Sequence, residues 1–310
     1  APPAPQVSES PTPTRRRPGA QFNRYCLRHP AIAVLSVEEA RRSLPALHAV
    51  FGAGRHARPT PFSLTPFLSS PDFVKKMSAL CAHLTEILEK AGRLALNDAD
   101  LLAAYGFPAH FLDVLRVDPG YDRLAPILRL DGHFVKGRFR LVETNADGSA
   151  GMNDSNAIEY AVIRTAAYEQ LTRGWLMESL DMVGPLARLI LKYRGRHRPG
   201  PIGILDLPGV STAAEFVAVK ERIQTMGAQA EILTPSDLSY RRGLRAGRVS
   251  ASGRRPIKFI YRRLVTSDAI RHWNEIGPLL KAYRLGEVRM VGSFRSELLH
   301  SKAVLAILRH

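Results

Sequence analysis

From Ser36 onward, apolar residues recur at helical spacing. Ser36, Glu38 and Glu39 suit a helix start, and Leu44, Leu47 and Phe51 follow it. Pro59 to Pro66 breaks the pattern. Pro71-Asp72 then opens a long amphipathic helix. Its stripe runs through Phe73, Met77, Leu80, Leu84, Ile87 and Leu88, with an expected end near Gly92. Asn97-Asp98 predicts the cap of another helix, which Pro108 interrupts. A further helix is expected from Ser155 or Asn156 through Glu159, Tyr160, Ile163, Tyr168 and Leu171.

The period changes beyond a basic, Pro/Gly-rich connector, Arg194 to Pro201, which predicts a domain boundary. Ile202 to Leu205 reads as a strand and Ser211 to Met226 as a helix stopped by Gly227. Ala230 to Leu233 reads as a second strand. That β-α-β order predicts a parallel pair with a right-handed crossover. Arg248 to Ser250 is expected to be a short strand before a turn at Ser252-Gly253. Lys258 to Tyr261 and Val288 to Val291 are two more strands, with a helix capped by Thr266-Ser267-Asp268 between them. Ser296 to Leu308 reads as one helix still running at the chain end, so further sequence is expected beyond His310. The fold class is α/β: a helical N-terminal region, then a Rossmann-like domain. The expected divisions are a tail over 1–22, a helical region over 23–195, an α/β domain over 196–295, and the start of a further region over 296–310. The tail is rich in Pro, Ser and Thr, includes Arg15-Arg16-Arg17, and holds too little apolar surface to order itself.

Between these regions lies Ile127 to Asn156, where carboxylates, an amide, an arginine and a glycine turn fall together. Arg129 and Asp131 are two apart, as are Glu143 and Asn145, so in extended strands each pair shares a face. Gly137 sits midway and predicts a hairpin. A loop with an odd number of residues would place Asp131 opposite Glu143 and Arg129 opposite Asn145. A strict two-residue Lys136-Gly137 turn would throw the pairs onto opposite faces. A joint site needs the first arrangement.

Composition narrows the function classes. The 310 residues are 45% hydrophobic and 23% charged, ordinary for a globular protein. No apolar run approaches bilayer length, no signal-peptide core opens the chain, and the first residue is not Met, so the chain is either processed or a fragment. Cys26 and Cys81 are too few for a disulfide framework, and a reducing cytoplasm is the default expectation. The net charge of +16 raises the possibility of nucleic acid. No recognition-helix pattern, aromatic–basic interleaving or zinc module supports it. A site for phosphate-bearing or acidic ligands explains the same charge.

The hairpin supplies such a site. Asp131, Glu143 and Asn145 are hard oxygen donors that suit Mg²⁺. Arg129 would offset charge developing on a phosphoryl group. The loop Asn145 to Gly151 is made of small residues and lets backbone N–H groups approach an anion. The competing reading is a solvated turn with Arg129, Asp131 and Glu143 ion-paired. Neither a nucleophile elbow nor a Walker-type loop occurs.

The Arg-x-Asp and Glu-x-Asn-Ala-Asp pattern resembles glutathionylspermidine synthase and its relatives, the circularly permuted ATP-grasp ligases. The likeness continues in order through Glu215-Phe216, Gly227, Asp237-Leu238, Tyr261-Arg262-Arg263 and Ser301-Lys302-Ala303, spanning Pro61 to His310. It implies that the α/β domain is a pre-ATP-grasp domain. It also implies that ATP and Mg²⁺ serve as cofactors and that a small-molecule carboxylate is joined to an amine through an acyl-phosphate. Carried over by motif, Asp131, Glu143 and Asn145 would hold the metal. Arg129 would contact the transferring phosphate and Lys302 would contact ATP. Ser149, Glu215 and Arg262 would be substrate contacts. The chain departs from the pattern at Gly148, Ala150 and Ser301, which bears on substrate identity. The main nucleotide-binding subdomain of the family would lie past Lys302, so this chain by itself is expected to bind ATP poorly or not at all. The alternatives are an inactive relative serving as a binding module and a basic nucleic-acid-binding protein.

Overall fold

A computed structural model describes residues 18–52, 54–173, 176–195, 200–246 and 255–309. The tail up to residue 17, the expected strand and turn within 247–254, and the connector core at 196–199 lie outside them.

Helices α1 (Pro18–Arg28) and α2 (Pro30–Ser43) open the described chain. The tail expected over 1–22 therefore extends too far. Phe22 is only 2% exposed and packs in a cluster with Ala40, Leu44, Val162 and Tyr168. Pro30 starts α2, a position where a missing N–H costs little. Ser36 is thus inside the helix, and its buried hydroxyl accepts from Ala167 N at 3.2 Å. A small antiparallel ribbon, β1 (Val50–Phe51) with β2 (Arg58–Pro59), precedes α3 (Pro71–Asn97). The side chain of Ser70 caps α3 by accepting from Phe73 N. The helix runs straight past Gly92. A Cβ there would meet Leu299 at 2.6 Å and Leu124 at 2.7 Å, so this glycine admits a packed neighbour instead of ending a helix.

Asp98 caps α4 (Ala99–Ala103), and α5 (Ala109–Arg116) follows Pro108. The hairpin strands are β3 (Arg129–Val135) and β4 (Arg138–Asn145). Helices α6 (Met152–Ile163), α7 (Ala166–Thr172) and α8 (Val183–Arg194) come next. Gly151, with φ 94°, is the N-cap of α6, so the helix starts before Ser155.

The α/β region begins with β5 (Ile202–Leu205), α9 (Ala213–Thr225) and β6 (Ala230–Leu233), and β5 pairs parallel with β6 as expected. A three-stranded antiparallel sheet, β7 (Ser239–Tyr240), β8 (Leu244–Ala246) and β9 (Arg255–Pro256), follows. Then come β10 (Phe259–Arg262), α10 (Thr266–Arg271), α11 (Gly277–Arg284) and β11 (Arg289–Val291). The main sheet has the order β11-β10-β5-β6, with every pair parallel. The single helix expected over 296–308 is instead α12 (Glu297–His300) and α13 (Ala303–Ile307), because Ser301 is extended at φ −60°, ψ 136°.

Alternate sheet residues enter two cores. Ile204, Phe259, Tyr261 and Val291 pack with Val183 and Ile190 of α8 and Phe216 of α9. Leu205, Ile260 and Met290 pack with Leu279 of α11 and Leu298 and Leu299 of α12. Burial on both faces is what a parallel sheet requires. Each such side chain contributes about 1.5–3 kcal/mol. The second core also takes in Leu88 of α3, Phe111 of α5 and Ala146 just past β4, so it joins the hairpin region to the sheet. No helix among the described residues is long and apolar enough to cross a membrane.

Candidate functional site

The hairpin turn holds two residues. Lys136 (φ 50°) and Gly137 (φ 74°) are both left-handed, and Val135 faces Arg138. That is the conformation of the tight hairpin turn favoured by strand twist. By itself this register would separate the two polar pairs. It does not, because the ladder shifts between Gly132 and Asp131. Gly132 faces Leu141, whereas Asp131 faces Glu143 and Arg129 faces Asn145. Val142 is the extra residue of a β-bulge. Gly132 is needed at this point, since a Cβ would press on the Phe139 ring and lie 2.5 Å from the Arg140 carbonyl oxygen.

The four polar groups form one connected array. Arg129 donates to both Asp131 oxygens, at 2.9 and 3.0 Å, and to the Ala150 carbonyl at 2.9 Å. The Asn145 amide nitrogen donates to Asp131 Oδ2 and Glu143 Oε1, each at 3.2 Å. Lys302 Nζ lies 3.7 Å from Glu143 Oε2 and is 74% exposed. Five of the expected site residues thus meet on an accessible face, and their two positive and two negative charges balance.

The opposite face of β4 holds this array against the fold. The Thr144 hydroxyl donates to the Leu299 carbonyl, and His300 Nδ1 lies 3.2 Å from the Thr144 carbonyl. These contacts fix α12 beside β4 and thereby set Lys302 next to Glu143.

The loop leaving β4 crosses the C-terminal edge of the parallel sheet, where α/β folds commonly bind ligands. Here the loop itself fills that edge. Asp147 forms a buried ion pair with Arg262 and accepts from Thr266 N and, at 2.9 Å, from the Ser296 hydroxyl. Arg262 also donates to the Ser293 carbonyl at 3.1 Å and stacks on Phe294. Arg263 donates to the Ser149 carbonyl and lies 3.3 Å from Glu215 Oε1. Glu215 Oε2 accepts from Gly151 N at 2.7 Å and Asn153 N at 3.2 Å, which places a carboxylate at the positive end of α6.

Three expectations are corrected by this geometry. Arg262 was expected at a substrate but is 1% exposed, with its guanidinium spent on Asp147 and backbone carbonyls. Glu215 is buried and holds the start of α6. The Ser149 hydroxyl turns inward onto the Asn145 carbonyl. None of the three presents a free polar group to solvent. All three position the loop that carries the hairpin.

Burial pushes the Asp147 carboxyl up, but the Arg262 guanidinium and the Thr266 and Ser296 donors hold it below its usual range. Its neighbour Glu297 is raised to about 8 by burial and by the Asp147 charge. The two neighbouring carboxyls are thus driven in opposite directions.

Asp147, Arg263, Thr144 and Glu297 were missed as important groups. The Asn-Ala-Asp and Arg-Arg runs marked two of the places, but no local signal in the sequence pairs residues so far apart. Among the described residues no group of three or more His, Cys, Asp or Glu could hold a metal ion. The hairpin's donor set is different: two carboxylates and an amide, the sparse set that suits a cation keeping water and phosphate ligands.

The fold is thus α/β, a two-sided parallel sheet with an exposed polar hairpin docked on its C-terminal edge. It is similar to the solved structure of a glutathione synthetase-like effector from Globodera pallida, in its apo form. The TM-score is 0.59 and the identity 11%, and the match covers 91% of this chain and 66% of that one. At that identity the likeness is one of fold, and this chain spans just under two thirds of the matched chain's length. No family model and no curated protein matches the chain.

Proposed function

We propose that this chain belongs to an ATP-dependent carboxylate–amine ligase of the glutathionylspermidine synthase type, with the hairpin as its magnesium and phosphate site. The observation that carries the reading is the bulged register, which sets Asp131 opposite Glu143 and Arg129 opposite Asn145. Similarity of fold to a glutathione synthetase-like protein supports the same class.

Asp131, Glu143 and Asn145 would hold Mg²⁺. Asn145 now aims its N–H at both carboxylates; a half-turn of the amide would bring its carbonyl oxygen to the same place. Bound there, Mg²⁺ would neutralise charge on phosphate oxygens. The guanidinium of Arg129 is oriented by Asp131 and the Ala150 carbonyl. It would donate to the γ-phosphoryl oxygens while a substrate carboxylate oxygen displaces ADP. The amine lone pair would then attack the acyl carbon, phosphate would leave with the acyl–oxygen bond pair, and the proton shed by the amine nitrogen would pass to that phosphate or to water. Lys302 would shift from Glu143 to a nucleotide phosphate.

Binding of Mn²⁺ in the presence of ATP, read by electron paramagnetic resonance, tests the site. Glu143→Gln should weaken it about 10–100-fold. Equal binding by both proteins would remove the hairpin from metal binding. The burial of Ser149, Glu215 and Arg262 favours a second reading, a non-catalytic binding module. In the full-length protein, ADP release that depends on both an amine and a carboxylate separates the two.

A further inference from the structure

The hairpin face that carries the carboxylates continues beyond them. The bulge lies in β4, so β3 alternates without a break, and Arg129, Asp131, His133 and Val135 share one face. Their cross-strand partners are Asn145, Glu143, Arg140 and Arg138. The other face bears Leu130, Gly132 and Phe134 opposite Thr144, Leu141 and Phe139; Thr144 on it is buried, and Phe134, still exposed, leans on α3 with its ring 5.9 Å from Phe73. The outer face therefore reads in rows: Arg129 with Asn145, Asp131 with Glu143, His133 with Arg140, Val135 with Arg138. Lys136 stands at the turn.

The first two rows balance their charges with Lys302. The outer two contain no acid. Arg138, Arg140 and Lys136 are exposed, and no carboxylate among the described residues pairs with them. Arg138 and Arg140 point the same way about 7 Å apart, an arrangement that repels in the free protein and is relieved by an anion. By strand rise the Arg140 and Arg138 rows lie about 7 and about 13 Å from the Asp131–Glu143 row. Two guanidinium forks at that spacing suit planar carboxylates or phosphates.

We propose that Arg138 and Arg140, with Lys136, form an anion subsite for a carboxylate or phosphate carried by the ligand that engages the Asp131–Glu143 cluster. The ligand is then polyanionic, with a second charged group about 7–13 Å from the first. The link to the cluster rests on the ligase reading above. The strip's own affinity does not, because it is measured without metal or nucleotide.

The test is calorimetric titration of the full chain at low salt with two probes. Tripolyphosphate stands for a nucleotide's phosphate chain and triglutamate for an acidic, peptide-like substrate. The double variant Arg138→Gln/Arg140→Gln should weaken at least one probe about tenfold, and Arg138→Lys/Arg140→Lys should weaken it less. Arg188→Gln, which removes an exposed charge on α8, should change neither. A loss confined to tripolyphosphate assigns the strip to the nucleotide; a loss confined to triglutamate assigns it to the acid substrate. Circular dichroism checks that the variants fold. Unchanged affinity in the double variant, or an equal loss in Arg188→Gln, overturns the subsite. Binding of a single-stranded oligonucleotide far more tightly than either probe, lost in the double variant, overturns the small-ligand assignment. If the strip fails while Mn²⁺ binding still depends on Glu143, only the strip is wrong.

Discussion

Asp131 lies directly opposite Glu143, although the turn that joins their strands holds only two residues. The bulge at Val142 reconciles the tight turn with a joint polar face. The close approach at Gly132 permits the bulge. Gly132→Ala would force the Phe139 ring and the Arg140 carbonyl aside. It should destabilise the protein by about 1–3 kcal/mol, read by urea unfolding. It should also weaken Mn²⁺ binding as the register relaxes.

Arg262 and Asp147 depend on each other. Removing one leaves a buried charge without its partner, so Arg262→Met or Asp147→Leu alone should cost about 3–5 kcal/mol. The double variant should recover part of that loss. Denaturant midpoints of the three proteins decide it, and additive losses would count against the pairing.

Glu297 makes stability depend on pH in an unusual direction. Its folded pKa is about 8, above the ordinary value of 4.5. Between those values the folded state keeps a proton that the unfolded chain releases, so this group's contribution falls as pH rises through the window. Asp147 acts oppositely: its lowered pKa gives stability that is lost as pH falls below the usual carboxylate range. Glu297→Gln should flatten the decline between pH 5 and 8. Thermal unfolding across that range measures it.

Glu215 holds the start of α6 through the Gly151 and Asn153 amides. Glu215→Ala should cost about 1–3 kcal/mol and speed hydrogen exchange at those two amides. Unaltered protection would show that Arg263 alone secures the loop.

Lys302 should behave differently. Its pair with Glu143 is exposed and long, so Lys302→Ala should change stability by less than about 1 kcal/mol. If it serves ATP, nucleotide affinity should fall about tenfold in the same variant.

The parallel sheet was readable because its strands are short, mostly apolar runs, Ile202–Leu205 wholly so, with a helix between the first two. Residues 18–22 were not, because Phe22 becomes a core residue only against Ala40 and Tyr168. Gly92 looked like a helix stop, and only the approach of Leu299 and Leu124 shows why it is there. The members of the polar array were legible from their spacing. Their register was not, since a bulge leaves no mark in a hydrophobic alternation one strand long. Arg262 looked like a strand-end cation; its partner Asp147 is 115 residues away, and burial follows from tertiary contact alone.

The shift at Val142 has a consequence for how such hairpins diverge. Val142 is the one strand residue between Asp131 and Glu143 that faces no partner across the ladder, so its loss would leave the two-residue turn and the Asp131–Glu143 pairing in place as an unbroken hairpin. A three-residue turn without the bulge reaches the same pairing. Homologues can therefore keep this polar face while their segments differ in length by one residue.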